Sequence, residues 1–186
     1  MADTQLDGRR VLALVTNYGV EQDELLVPLK KLRERGAEVT VAAQSTDPVQ
    51  TLVGDKDPGE TVQVDTTIDA VDADAYDLLL LPGGTLNADT LRLDEKAVAT
   101  AKAFAASGRT VAAICHGPWL LVEADVVKDK TLTSYTSLRT DIRNAGATWV
   151  DESVKTCPAA GYTLITSRTP KDLDDFVGEI GKALSA

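Results

Sequence analysis

The sequence predicts an α/β fold: a doubly wound, mostly parallel sheet with helices on both faces. Three observations carry that prediction. Val11–Thr16, Asp77–Leu81 and Thr110–Ile114 are apolar runs without polar alternation, the pattern of strands buried on both faces. Segments of helical period lie between them, which is how parallel strands are connected. Each run then gives way to a short stretch rich in acid, glycine or cysteine, and sites in such sheets lie beyond the carboxyl ends of the strands.

Taken in order, Val11–Thr16 is a buried strand. Leu25, Leu26, Leu29 and Leu32 follow on one helical face, with Lys30, Lys31, Arg33, Glu34 and Arg35 outside and Gly36 as the stop. Pro28 falls inside that helix and predicts a kink or a late start. Glu38–Ala43 is the next strand. Residues 44–72 carry the breakers Gly54, Pro58 and Gly59 around a short alternating strand at Thr61–Val64, so a hairpin excursion is expected there. Asp77–Leu81 runs straight into Pro82-Gly83-Gly84. A helix over about 94–107 ends at Gly108, and Thr110–Ile114 is a further apolar strand. In the last helix Thr169 is the expected cap, Pro170 the first helical position, and Leu173, Phe176, Val177 and Ile180 the apolar stripe.

At 186 residues the chain is expected to be a single domain with a full core, residues 1–9 forming a flexible N-terminus. No run reaches the length of a membrane span, and the opening MADTQLDGRR lacks the apolar centre of a secretory signal, which predicts a cytoplasmic protein. A net charge of −10 argues against a nucleic-acid-binding surface. Two cysteines and one histidine cannot make a disulfide framework and make a zinc site improbable. The Pro-Gly-Gly turn has neither dinucleotide nor P-loop spacing, so no cofactor is implied.

The chemistry concentrates in AAICHGPWLL, residues 112–121. The order strand, sharp turn, helix puts Cys115 on the turn, where a nucleophile elbow lifts a side chain above the sheet. Ala113 and Gly117 supply the small neighbours that such a turn needs. The amides and dipole of the next helix would favour thiolate and could also hold an oxyanion, with the Gly84 amide as a second donor beside Gly83. A free cysteine is most often just a small buried apolar residue; the elbow is what argues for more. Cys157 precedes Pro158 in a polar stretch and shows no such setting.

AAICHGPWLL, LLLLPGG, GVEQDELLVPLKKLRERGAEVTVAA, LTSYTSLRTDIRNAGATWVDE and LITSRTPKDLDDF together resemble the PfpI-like family, which groups intracellular cysteine peptidase-like and general stress proteins with deglycase relatives. The resemblance covers nearly the whole chain and implies a flavodoxin-like sandwich assembled as a homo-oligomer, a dimer or a hexamer. It implies that Cys115 is the nucleophile, that His116 assists it, and that Glu24 contacts the sulfur with Glu21 nearby. Gly84 and the His116 backbone become oxyanion donors, Tyr135 lies near the pocket, and Asp89 from an adjacent subunit orients His116. A carboxylate against a thiolate would raise both pKa values, so Glu24 is expected to keep a proton and donate it to the sulfur. Without the resemblance, Glu24 reads as a cap or solvated residue of the first helix.

The function expected is a cysteine-dependent hydrolase acting on small carbonyl adducts, as a deglycase or glyoxalase, or on peptide bonds. The alternative is a redox-responsive stress protein or chaperone with Cys115 as its oxidation sensor. A glutaminase-type amidotransferase needs a distant histidine late in the chain, and His116 is the sole histidine.

Overall fold

A computed structural model describes residues 5–186. Its first half runs β1 (Arg10–Leu14), β2 (Tyr18–Glu21), α1 (Gln22–Glu34), β3 (Glu38–Ala43), β4 (Val49–Val53), β5 (Asp57–Val62), β6 (Thr66–Thr67) and β7 (Leu78–Leu81). The second half continues with α2 (Thr85–Leu91), α3 (Glu95–Ala106), β8 (Thr110–Ile114), α4 (Pro118–Glu123), β9 (Thr131–Leu132), α5 (Arg139–Asn144), β10 (Thr148–Trp149), β11 (Val154–Cys157), β12 (Leu164–Ser167) and α6 (Leu173–Ser185).

The main sheet has the order β11-β12-β8-β7-β1-β3-β6. Its pairs are parallel except β11 against β12. Period-two alternation divides the apolar runs between two layers. Val11, Ala13 and Val15 face α1 and α6, meeting Leu25, Leu29, Leu32, Phe176 and Ile180. Leu12 and Leu14 face the other way, where Leu79, Leu81, Phe104 and Leu121 form the second cluster. Each fully buried Leu or Phe stabilises the fold by about 1.5–3 kcal/mol, so the central strands are held from both sides.

The excursion at 44–72 is a hairpin. β4 and β5 pair antiparallel and join β2 in a separate three-stranded sheet. Gly54 and Asp55 turn it with φ of 63° and 58°, the left-handed pair that a tight hairpin turn requires. The expected strand at Thr61–Val64 ends at Val62 instead.

Two local expectations are corrected. Helix α1 does not start late: it begins at Gln22, well before Pro28, which is buried within it. Pro28 lacks the N–H that would reach the Glu24 carbonyl, and the buried Leu25, Leu29 and Leu32 hold the helix through that gap. Thr169 does not cap α6. It precedes a single tight turn over Pro170–Asp172, with Asp172 at the α6 N-cap. The Asp172 carboxylate makes no cap bond; it accepts instead from Arg168 on both oxygens, each at 3.0 Å. Of the expected N-terminal tail, residues 1–4 lie outside the described residues, while Leu6 is buried in the core and its amide donates to the Arg35 carbonyl at 2.6 Å. Among the described residues no helix is long and apolar enough to cross a membrane.

Candidate active site

The ends of β1, β7 and β8 meet at one point, and Cys115 stands there. Its φ is 61°, a left-handed conformation that costs a non-glycine residue about 1–2 kcal/mol. The neighbouring chain holds it in place. The Cys115 amide donates to the Ser167 carbonyl of β12, and the Cys115 carbonyl accepts from the Tyr135 amide, both at 3.0 Å. Gly117 makes the turn possible, because a Cβ there would lie 2.9 Å from the Ile114 carbonyl oxygen and collide with that of Leu81. The sequence's reading of a strand, a strained turn and a helix is the observed geometry.

The backbone amides of Gly84 and His116 both face the sulfur and favour its anion. The Gly117 amide is not part of this set, since it donates to the Ile114 carbonyl at 2.8 Å. Gly83 serves a different partner: its N–H donates to Glu24 Oε2 at 2.8 Å. Asn87 fixes the Pro-Gly-Gly turn, donating to the Gly83 carbonyl at 2.9 Å while its Oδ1 accepts from the Thr16 amide at 2.7 Å. Sequence reasoning had missed Asn87, because nothing about an asparagine in a helix signals that it ties β1 to the turn after β7.

Glu24 is fully buried. Its Oε1 has no nitrogen or oxygen partner, and its carboxyl meets the Cys115 side chain. Burial pushes the Glu24 pKa up to about 8, opposed by the Gly83 amide and by Cys115. Burial also pushes the Cys115 thiol up, and an ionised Glu24 pushes it further, while the two amides pull it down. The helix-end acidification expected from sequence is therefore opposed by desolvation. A thiolate can form here only with the Glu24 proton retained, since two adjacent buried anions repel.

His116 Nδ1 lies 3.2 Å from Cys115 Sγ. Its ring stacks on Tyr135 with centroids 4.9 Å apart and meets the edge of Trp119 at 5.2 Å. Its Nε2 has Ser137 Oγ at 3.2 Å and Thr85 Oγ1 at 3.4 Å. Burial lowers the His116 pKa, and Asp55 opposes that. Glu21 does not reach the sulfur. Its carboxylate accepts the amides of Gly54 and Asp55, both at 3.0 Å, and so holds the hairpin tip over the site. Asp89 is exposed on α2, and the side chains bonded to His116 within the chain do not include it. Thr85, Ser137, Trp119 and Asp55 all join the site without having been singled out from sequence.

These groups line a cavity of about 300 Å³, with Glu21, Glu24, Asp55, Thr85, Cys115, His116 and Tyr135 in its wall and Thr169 and Pro170 at one side. That volume suits a small molecule or one side chain. Cys157 lies apart from it, buried, its sulfur accepting the Thr131 amide at 3.3 Å. Among the described residues no cluster of three or more His, Cys, Asp or Glu is arranged to hold a metal ion.

Comparison with known proteins bears on the family and the fold. The chain is 41% identical over 165 residues to general stress protein 18 of Bacillus subtilis, covering 89% of this chain and 92% of that one. It is 40% identical over 166 residues to a deglycase of Thermococcus kodakarensis, covering 89% and 94%. The crystal structure of Drosophila melanogaster DJ-1beta superposes with a TM-score of 0.83 at 27% identity, covering 96% of this chain and 91% of that one. Residues 9–183 match the model of the DJ-1/PfpI family, and the chain belongs to that family.

Proposed function

We propose that this protein is a cysteine-dependent hydrolase of small carbonyl compounds and their adducts. The observation that carries the reading is Cys115 at a φ of 61°, its sulfur faced by the Gly84 and His116 amides at the floor of a cavity of about 300 Å³. A strained nucleophile under two amide donors is the arrangement that covalent attack on a carbonyl requires. The cavity admits a three-carbon unit more readily than a folded chain, which favours a carbonyl adduct over a peptide bond. The likeness to a deglycase supports the same choice.

For an aminocarbinol formed from methylglyoxal, the Cys115 thiolate displaces the amine, which leaves carrying a proton. A hemithioacetal remains on the sulfur. A proton then moves from its first carbon to its second, oxidising the one and reducing the other, so no external redox partner is needed. His116 Nδ1 and the Glu24 carboxyl are the two groups beside the sulfur that can carry that proton. The resulting thioester is hydrolysed by water to lactate and free thiol. Free methylglyoxal enters at the hemithioacetal and yields the same product.

The test is lactate release from a methylglyoxal-modified amine or thiol, comparing wild type with Cys115→Ala while free methylglyoxal is quantified. Turnover that depends on Cys115 and tracks the adduct supports a deglycase. Turnover that tracks only the free aldehyde makes the protein a glyoxalase. No turnover of either rejects the carbonyl reading.

One further observation favours a second reading. Glu24 Oε1 is buried beside the sulfur with no nitrogen or oxygen partner, so a protonated Glu24 could donate to an oxygen added to Cys115 by peroxide. Stoichiometric uptake of two oxygens at Cys115, with protection from stress retained after turnover is lost, would place oxidation sensing ahead of catalysis.

A further inference from the structure

The tip of the β4–β5 hairpin carries a carboxylate that the reaction above has not used. Asp55 Oδ1 accepts the Thr85 amide at 2.8 Å, and Oδ2 accepts the Thr85 hydroxyl at 2.7 Å. Thr85 Oγ1 in turn stands 3.4 Å from His116 Nε2, and His116 Nδ1 stands 3.2 Å from Cys115 Sγ. A threonine hydroxyl has one proton. Given to an ionised carboxylate in a short, charge-assisted bond, that proton is not available to the imidazole. Thr85 Oγ1 can then only accept from His116, and Ser137 Oγ, 3.2 Å from the same nitrogen, can rotate to accept as well, so a proton on Nε2 finds two acceptors and Nδ1 presents a lone pair to the thiol.

We propose that Asp55, acting through Thr85, is the positioning residue that holds His116 as the Nε2–H tautomer, so that the chain Cys115–His116–Thr85–Asp55 is complete within one protomer. The proposal deepens the functional reading above and rests on its assignment of Cys115 as nucleophile. Glu21 acquires a part in it: by gripping the amides of Gly54 and Asp55 it sets the left-handed turn that aims the Asp55 carboxylate at Thr85. Asp89, exposed on α2, takes no part in these contacts within the protomer. Around His116, Cys115 and Glu24 lie on the inner side, Tyr135 and Trp119 against the ring, and Asp55 beyond Thr85; among these Asp55 is the charge that acts on the imidazole.

The experiment exploits the single histidine of the sequence. In uniformly ¹⁵N-labelled, untagged full-length protein, long-range ¹H–¹⁵N correlation reports the tautomer and titration of His116 without assignment. Wild type is expected as Nε2–H above its midpoint. Asp55→Asn keeps a residue type that tolerates positive φ. It lets the Thr85 hydroxyl turn towards Nε2, so the Nδ1–H tautomer grows, and loss of the charge lowers the His116 midpoint. Thr85→Val shifts the tautomer, and Thr85→Ser restores it. In turnover, Asp55→Asn lowers kcat about tenfold with KM changed less than about threefold. Wild type found as Nδ1–H overturns the proposal. So does an Asp55→Asn spectrum identical to wild type, or a shift produced by Asp89→Asn and not by Asp55→Asn. Because the spectra need no substrate, a tautomer that follows Asp55 in a protein without carbonyl turnover leaves the relay standing and rejects only the functional reading.

Discussion

Cys115 Sγ and Nδ1 of the next residue, His116, lie 3.2 Å apart. Neighbours in an extended chain point to opposite faces, and the φ of 61° at Cys115 is what brings these two together. The histidine is therefore a partner of the thiol through backbone strain, not through adjacency alone.

Cys115→Ala is expected to reduce adduct-dependent turnover to background, a loss of at least about a thousandfold, with the fold retained. His116→Gln is expected to cost about ten- to a hundredfold. Protonation of His116 removes the Nδ1 lone pair, so kcat/KM should fall towards acid. Burial places that midpoint below the ordinary 6.5 of an imidazole. A kcat/KM profile whose acid limb lies above pH 7, or survives in His116→Gln, would contradict this assignment.

Glu24 makes stability depend on pH. In the unfolded chain the carboxyl releases its proton near 4.5, whereas in the fold it is held to about 8. Between those values the native state binds more protons than the unfolded one, so stability falls as pH rises. Above about 8 its effect levels off. Glu24→Gln removes the slope, so urea denaturation at pH 5, 6, 7 and 8 should show the variant gaining steadily on wild type. Parallel stability curves for the two proteins would show that Glu24 ionises normally in the fold.

The strands and the elbow were readable because their signals are local. Uninterrupted apolar runs mark β1, β7 and β8, and Ile114, Cys115 and Gly117 are consecutive enough to imply a turn. Glu24 was reached only by resemblance to the family, since an acid in a first helical turn is ordinary on its own. Asp55 and Thr85 lie 30 residues apart and meet only because the hairpin folds back over the site. Each looks like a plain turn or loop residue in sequence. Thr169 was half right: it stands at the N-cap position of the tight turn Pro170–Asp172, with Pro170 in the first turn, but that turn is not yet α-helix and the threonine hydroxyl makes no cap bond, so α6 begins only at Leu173.

Lys130 is another residue that sequence would place in solvent, yet its relative exposure is 1%. Its ammonium donates to the carbonyls of Cys157, Ala159 and Tyr162 and lies 3.5 Å from the centroid of the Tyr162 ring. Burial lowers its pKa. It ties the segment before β12 to the segment before β9. Lys130→Met keeps the apolar stem but leaves three carbonyls without their donor, and should cost about 2–4 kcal/mol. The check is the urea midpoint, read beside kcat of the remaining folded protein. A midpoint within experimental error of wild type would mean that water replaces the ammonium at no cost.

Gly83 and Gly84 differ in how much main chain a side chain would displace. A Cβ on Gly84 would sit 2.6 Å from the Glu21 amide nitrogen in a backbone with φ of 83°, so Gly84→Ala must move main chain. A loss of about 2–4 kcal/mol is expected. Gly83 lacks the positive φ, and a Cβ there would lie 2.6 Å from Glu24 Oε2 and 2.8 Å from both the Cys115 Cβ and the His116 amide nitrogen. The first neighbour is the end of a side chain and can swing; the other two belong to the elbow. Gly83→Ala should therefore push Glu24 off its 2.8 Å bond to the Gly83 amide and disturb the sulfur. Turnover is then expected to fall about a hundredfold or more, with a smaller stability loss than Gly84→Ala. Thermal unfolding and single-turnover rates on the same two preparations decide it. If Gly83→Ala retains wild-type rates, the Glu24 seat is not part of the reacting geometry.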